Sequence, residues 1–158
     1  MSIYSPPCDY RSEGGFSAEK EASLKYLCLA YGDEKRYAAL SKTELTEMGV
    51  QCKSHDEELH QGGHLALIAS LSPTRSTTTL RPVNGKTEVY DGPFAETKEQ
   101  VGGFFILEAR DLNEAIQAAS KHPAARAGEM MGCALEIRPI EFFEASSALT
   151  AFSAIAKA

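Results

Sequence analysis

Residues 91 to 105 of this 158-residue chain hold the side chains best suited to chemistry. The segment opens with Asp91-Gly92-Pro93, which is typical of a tight turn, because Asp bonds nearby backbone donors, Gly accepts positive φ and Pro fixes its own φ. At such a turn the Asp91 carboxylate is a candidate general base or hydrogen-bond acceptor. The alternative is a structural role, in which the carboxylate satisfies the backbone of its own turn.

The rest of the segment supplies a hydroxyl, a cation, a second carboxylate and an unobstructed strand. Thr97 and Gln100 have the spacing of a capping box and predict one helical turn. Two successive glycines then remove side chains that would fill the space between turn and sheet, so we expect a pocket for a small polar ligand. Turn anchoring, helix capping and surface charge are the competing roles for the polar and aromatic residues. The candidate ligand-binding residues are Phe94, Thr97, Lys98, Glu99, Gly102 and Gly103.

His122 is the second catalytic candidate. It precedes Pro123 at the predicted end of a helix, where the helix dipole favours the charged imidazolium and would raise the pKa of the ring. With Asp91 it would supply an acid–base pair for proton transfer. The alternative is an exposed ring at a helix stop.

The other histidines and the arginines predict neither a metal site nor a cofactor site. His60 and His64 are four residues apart, but a Gly-Gly pair breaks the helix between them. Arg126 and Arg138 suit either an anionic group or surface ion pairs. The chain has no phosphate-binding loop, dinucleotide fingerprint or nucleophile elbow.

Charge and composition argue against several function classes. The formal net charge is −6 and the pI about 5.2, so a nucleic-acid surface, which needs clustered Lys and Arg, is not expected. No stretch approaches the roughly 18 apolar residues of a membrane span, and the first residues lack the apolar core of a signal peptide. Four scattered cysteines without a C-x-x-C pair predict reduced thiols and a cytoplasmic location.

The chain is expected to divide into three parts. Residues 1–22 are predicted to be a polar tail, residues 23–143 one folded domain, and residues 144–158 an Ala-rich extension with apolar residues at helical spacing. Within the domain the elements follow the order β-α-β, an inserted hairpin, then β-α-β. This order predicts an α+β fold with a four-stranded antiparallel sheet and both helices on one face.

Short signals place the individual elements. Strands are predicted at residues 24–31, 65–71, 104–108 and 132–140, and hairpin arms at 76–83 and 86–90 around the turn Asn84-Gly85. Capping boxes open the two helices at Ser41 and Asp111. The first helix should end at Gly62-Gly63 and bury a stripe of Leu45, Met48, Cys52, His55 and Leu59. The second should end before Pro123 and bury Leu112, Ile116 and Ala119.

The first and third core strands are apolar at successive positions, so both faces of the sheet should be apolar. Two helices cover only one face. An uncovered apolar face of that size is unusual in a monomer, and we therefore expect a homodimer that buries the face opposite the helices.

Asp91 to Phe105 resembles the signature of the DGPF group of YCII-related proteins, which are small bacterial domains. The resemblance extends from 24–33 at the start of the domain to 122–126 and 136–140 near its end, and so covers roughly residues 24–141. It implies a ferredoxin-like fold of the dimeric α/β-barrel type, which dimerises through its sheet. The biochemical role of the family is largely unassigned, and some members are fused to, or encoded beside, alternative sigma factors.

Distant YCII relatives resemble lyases or isomerases with a His/Asp pair, and this sequence departs from that pair. Where the family pattern has Asp-Pro after the second helix, this chain has His122-Pro123. The family histidine of the first helix has its nearest matches here in His55 and Cys52. Three hypotheses follow: a domain that binds a small polar molecule and performs acid–base chemistry, an accessory protein of a sigma-factor pathway, and a dimeric module whose turn is architectural.

Overall fold

The structure, a computed structural model, describes residues 23–126 and 129–146, and of Met130 only the backbone. The strands in these ranges are β1 (Leu24–Gly32), β2 (Leu65–Ser70), β3 (Thr78–Val83), β4 (Lys86–Asp91), β5 (Gln100–Ala109) and β6 (Ala134–Pro139). The helices are α1 (Glu34–Ala38), α2 (Lys42–Gln61), α3 (Leu112–Ala119) and α4 (Pro123–Arg126), with 3₁₀ turns at Thr74–Ser76 and Glu129–Met131.

Four strands form the main sheet in the order β2-β5-β1-β6, and each neighbouring pair is antiparallel. β1 and β5 lie at the centre, where Leu27 is paired with Ile106 and Leu29 with Phe104. The predicted α+β class with an antiparallel sheet is therefore confirmed, and the strand order agrees with a ferredoxin-like fold.

The first long helix follows its sequence signals. Ser41 caps α2 through a capping box with Glu44, and Gly63 takes φ +75° just beyond its end. The predicted stripe is the less exposed side of the helix, but Leu59 is the one residue of α2 that is fully buried. α2 therefore packs tightly only near its C-terminal end.

The second predicted helix is confirmed at its start and corrected on its buried face. Asp111 accepts a hydrogen bond from the Glu114 backbone and opens α3. Leu112 and Ile116 are 47% and 44% exposed, so their predicted burial is wrong. The predicted burial of Ala119 is confirmed, and Ala115 and Ala118 are buried with it. Small side chains let this helix lie close to the sheet, and the larger ones then point outward.

The end of this helix also differs from the prediction. α3 stops at Ala119, three residues before His122, and Pro123 is the first residue of α4. A proline at a first helical position loses no hydrogen bond, because its missing N–H has no partner there. Pro123 thus starts one short helix and does not end the other.

The inserted hairpin is confirmed as a separate two-stranded sheet. β3 pairs with β4 from Thr78 opposite Asp91 to Val83 opposite Lys86. Asn84 and Gly85 join the arms with φ of 50° and 77°, the angles of the turn that suits strand twist. Both turn residues are exposed, as expected for a tip.

Two short segments differ from the prediction. The helical turn predicted at Thr97 does not form, because the Thr97 hydroxyl donates to the Glu99 carbonyl (2.6 Å) and Gln100 already belongs to β5. The second difference is α1, a short helix that the sequence analysis did not predict. Its signal was Asp33, whose buried carboxylate accepts hydrogen bonds from the backbone of Lys35 and Arg36.

The core lies between the helices and one face of the sheet. Its fully buried side chains include Cys28 on β1, Phe105 and Leu107 on β5, and Leu59 on α2. The second sheet face, defined by Leu27, Leu29, Phe104 and Ile106, follows from strand alternation, and all four side chains are half-buried. The expectation that both faces are apolar is confirmed.

Within the two described ranges no helix is long and apolar enough to cross a membrane. The predicted tail at 1–22 and the predicted helical spacing at 149–156 lie outside the described residues. The division of the chain at residues 23 and 143 stays a prediction.

Candidate functional site

A cavity of about 320 Å³ lies between α2, the start of α4 and one end of the main sheet. The last residues of β1 and β2 and the first residues of β5 form its floor. The half-buried residues of α2 form one wall, where the helix is not packed tightly against the sheet. The side chains and backbone that line this main cavity belong to Ala30, Tyr31, Gly32, Met48, Cys52, Asp56, Ile68, Ala69, Ser70, Gly102, Gly103, Phe104, His122, Pro123, Ala124, Met131 and Cys133.

A second cavity of about 460 Å³ adjoins the first at the same end of the sheet. The two share five lining residues, which are Gly32, Ser70, Gly102, Met131 and Cys133. The walls of the adjoining cavity add the carboxylates of Asp33 and Glu34, and Glu34 accepts hydrogen bonds from the Thr74 backbone (2.7 Å) and hydroxyl (2.8 Å). Together the cavities form one cleft at the edge of the helix-covered face.

His122 is fixed in the wall of the main cavity by two contacts. Its ring stacks on Phe105 with centroids 4.8 Å apart and planes 21° apart. Its Nδ1 accepts a hydrogen bond from the backbone N–H of Ala124 (3.1 Å). Because Nδ1 is the acceptor, the proton of the neutral ring resides on Nε2, which makes Nε2–H a hydrogen-bond donor.

Burial lowers the pKa of His122, and the neighbouring Asp56 carboxylate opposes this shift without reversing it. The prediction that a helix C-terminus raises the pKa of this ring is therefore wrong. The ring lies beyond the end of α3 and next to the start of α4, so it loses hydration without gaining the expected dipole. At neutral pH the imidazole is uncharged.

Asp56 brings a carboxylate to the same cavity from α2. It lies four residues after Cys52, and therefore on the same side of the helix. The cavity thus places a carboxylate and a neutral imidazole together. The sequence signal for Asp56 was its position four residues after Cys52, a member of the predicted stripe. It was missed because the stripe was defined mainly by its apolar residues.

Sulfur is abundant in the lining of the main cavity. Met48 and Cys52 come from α2, and Met131 and Cys133 from the segment before β6. Burial raises the pKa of both thiols, with Asp56 adding to the rise at Cys52 and Cys52 adding to it at Cys133. Protonated thiols are poor nucleophiles, and these cysteines give the cavity a polarizable surface.

The described parts of the chain contain no cluster of His, Cys, Asp and Glu suited to a metal ion. Cys28, Cys52 and Cys133 are free thiols. His64 is engaged through Nδ1 with the Glu108 carbonyl (3.0 Å). Arg126 donates to the Glu58 carboxylate (2.9 Å), and the Arg138 side chain lies 3.7 Å from Glu136, so both arginines are in ion pairs.

The structure separates the predicted site residues into two groups. Gly102, Gly103 and His122 line the main cavity. The other candidates, Asp91, Phe94, Thr97, Lys98 and Glu99, line neither of the two cavities and are exposed. Asp91 ends β4, and the polar residues of the turn follow it outside the cleft.

The exposed group has its own local contacts. Phe94 is 73% exposed, and the Arg81 guanidinium lies over its ring at 4.8 Å and over the Tyr90 ring at 5.2 Å. Lys98 lies 3.8 Å from the carboxylate of its neighbour Glu99. The Arg81 contact joins Phe94 to the hairpin, so an anchoring role for Phe94 has direct support.

A family comparison decides what kind of domain carries this cleft. The model of the YCII-related domain matches residues 24–141. An uncharacterized protein of Rhizobium meliloti (strain 1021) is 35% identical over 121 residues, which are 77% of this chain and 95% of that protein. The chain belongs to the YCII-related family. The matched range spans every strand and helix described above, so the whole sheet and both cavities lie within the YCII-related domain.

In this YCII-related domain one histidine and one carboxylate line the main cavity. His122 lies directly before α4, and Asp56 lies on α2. His55 does not line the main cavity, and its Nδ1 lies 3.4 Å from Arg126 Nη1.

The lowered pKa of His122 makes the stability of the YCII-related domain depend on pH. The unfolded chain binds a proton at this ring below its ordinary pKa of 6.5, whereas the folded chain resists protonation. The free energy of unfolding should therefore fall as the pH drops below 6.5, and level off below the folded pKa. Urea unfolding from about pH 5 to pH 8 measures this slope.

Two matched variants test whether the His122 ring causes this pH dependence. His122→Gln should flatten the slope in this window, whereas His60→Gln, at an exposed position of α2, should leave it unchanged. Equal slopes in the wild type and His122→Gln would show that burial of this ring does not govern the pH dependence.

Proposed function

We propose that this protein binds a small molecule in the main cavity, where Asp56 and His122 divide the roles of proton acceptor and proton donor. The observation that carries the proposal is that a carboxylate and a neutral imidazole share a largely apolar cavity of about 320 Å³. Ligand sites are typically concave and apolar with a few convergent polar groups, at volumes upward of roughly 300 Å³.

The tautomer of His122 supports this division of roles. Since Nδ1 accepts from Ala124, Nε2–H is a donor and suits an oxygen that gains negative charge. The Asp56 carboxylate accepts protons and suits the base. A neutral histidine as electrophile beside a carboxylate base is a recognised pattern of proton-transfer sites.

Asp91 remains the competing partner for His122. As the last residue of β4 it is exposed and lies outside the lining of both cavities. The geometry therefore favours Asp56. A ligand role for Asp91, Thr97 and Lys98 would require a second site on the outer surface of the turn.

Benzyl alcohol, a small uncharged probe, tests the cavity. It should shift the methyl resonances of Met48 and Met131 in methyl-labelled protein, because both side chains line the main cavity. Ser70→Trp fills the space shared by the two cavities and should weaken binding by about tenfold or more. Methyl NMR titration measures both effects.

Two controls complete this test. Ser54→Trp, at an exposed position of α2 outside the lining, should bind the probe like the wild type, and so should Asp91→Asn. If benzyl alcohol leaves both methyl groups unshifted, or Ser70→Trp binds as well as the wild type, the binding function is refuted. Loss of binding in Asp91→Asn would move the site to the turn.

A second candidate function is protein contact, which the exposed hairpin supports. Leu80 and Val89 face one another across β3 and β4 and are 63% and 67% exposed. An isolated two-stranded hairpin is only marginally stable in water, so a protein surface against this arm would stabilise it. An accessory role in a sigma-factor pathway belongs to this class and rests on the family resemblance alone.

Membership of the DGPF subgroup rests on the motif at Asp91–Phe105, and the cytoplasmic location on the cysteine pattern.

We also propose a homodimer through the second sheet face. Leu27, Leu29, Phe104 and Ile106 lie opposite the helices, and an apolar face of this kind is stabilised by a second copy. Sedimentation at micromolar concentration should give twice the chain mass. Phe104→Lys should shift the equilibrium toward monomer, because it sets two like charges against the apolar partner face.

Ile116→Lys is the control for the dimer, because Ile116 is exposed on the helix side of the sheet. It should leave the sedimentation coefficient unchanged. A wild-type monomer at this concentration would eliminate the proposed interface, and dissociation by Ile116→Lys alone would assign dimerisation to the helical face.

A further inference from the structure

We propose that the ligand of the main cavity is an uncharged or cationic molecule with an aromatic or other apolar body, and not an anion. This inference rests on the proposed binding function and names its ligand class. Three observations support it: the charges of the residues that line the cleft, the neutral state of the His122 ring, and the sulfur-rich wall of the main cavity.

The charges around the cleft are of one sign. The two cavities are lined by three carboxylates, from Asp56, Asp33 and Glu34, and by neither Lys nor Arg among the described residues. A phosphate or carboxylate in the main cavity would lose its hydration and face Asp56, with neither Lys nor Arg among the described lining residues to compensate its charge. An ammonium group would be stabilised by the nearest of them, Asp56, which lines the main cavity itself.

Cations near the cleft are held in other contacts. Arg126 donates to Glu58, and Arg36 lies 3.6 Å from the Asp33 carboxylate. His122 supplies no positive charge near neutral pH, because burial keeps its ring neutral. The ring still offers a donor at Nε2 for a neutral hydroxyl or carbonyl group.

The wall favours a polarizable apolar body. Met48, Cys52, Met131 and Cys133 bring four sulfur atoms to one cavity. Thioethers and thiols make favourable contacts with aromatic rings, and flexible methionines adapt to different shapes. An aromatic amine or aromatic alcohol therefore matches both the charge and the surface.

Three probes of nearly equal shape test this class, namely benzylamine, benzyl alcohol and benzoate at pH 7.5. Methyl NMR of Met48 and Met131 gives the dissociation constant of each. We expect benzylamine to bind at least as tightly as benzyl alcohol, and benzoate to bind about tenfold or more weakly, because like charges in a confined site repel. This ranking is measured in the wild-type protein and depends on no variant.

Asp56→Asn then tests the origin of the preference. It should lower the affinity for benzylamine relative to that for benzyl alcohol until the two are about equal. The matched control is Glu57→Gln, since Glu57 is exposed on α2 and does not line the cavity.

The outcomes separate the two proposals. If benzyl alcohol binds but benzoate binds as tightly as benzylamine, the ligand class is wrong and the binding function stands. If none of the three probes shifts the methyl groups, the binding function fails and the ligand class fails with it. A benzylamine preference that survives Asp56→Asn would overturn the role of this carboxylate.

Discussion

Replacing Phe105 by Ala should lower the free energy of unfolding by about 3–5 kcal/mol, the usual cost of truncating a buried aromatic side chain. Phe105 is 0% exposed at the centre of β5 and packs with Cys28, Leu59 and Leu107. Because small domains have only about 5–15 kcal/mol of stability, this one change would remove a large share of it. Urea unfolding monitored by circular dichroism measures the loss.

Phe94→Ala is the control of identical chemistry. Phe94 is 73% exposed and contacts the Arg81 guanidinium, so its truncation should cost less than about 1 kcal/mol. Similar losses at the two positions would mean that the core has been placed on the wrong face of β5. Because Phe105 also supports the His122 ring, Phe105→Ala should in addition broaden or shift the His122 resonances at temperatures where the variant stays folded.

Replacing Gly103 by Ala should destabilise the domain by about 1–3 kcal/mol, the scale of an overpacked site. A Cβ at this position would lie 2.9 Å from the Ala69 carbonyl oxygen and 3.6 Å from Ser70 Cα. The obstacle is the backbone of the neighbouring strand β2, so the sheet itself would have to shift. Thermal or urea unfolding gives the size of the effect.

Gly102→Ala provides the adjacent control. A Cβ there would meet nothing within 4 Å, so the free energy of unfolding should change by less than about 1 kcal/mol, and reduced entropy of the unfolded chain favours a gain. If Gly102→Ala were as damaging as Gly103→Ala, backbone flexibility at the pair, and not the close approach of β2, would be the requirement.

Local signals in the sequence were sufficient for most of the fold. The capping box at Ser41 and the turn at Asn84-Gly85 depend on residues adjacent in the chain, and both form as predicted. The order of strands and helices then restricted the topology. Predictions of this kind succeed because the interactions that decide them span only a few residues.

The errors arose where distant segments decide the outcome. Leu112 and Ile116 have the spacing of a buried stripe, but the closeness of α3 to the sheet favours its alanines there. The pKa of His122 depends on burial against Phe105 and on Asp56, which is 66 positions earlier in the chain. Asp56 and His122 form a candidate site only through folding, and neither their spacing nor their neighbours in the sequence indicates it.

The two longer helices are packed unequally against the sheet, and this difference bears on the size of molecule that the cleft could hold. Three buried alanines hold α3 along its length, whereas α2 has a single fully buried residue, Leu59, near its C-terminal end. Glu58 is tied to Arg126 at the same end. The N-terminal half of α2 therefore has no fully buried side chain. We expect this half of α2 to tilt when a ligand larger than the empty cleft binds, while the four-stranded sheet keeps its geometry.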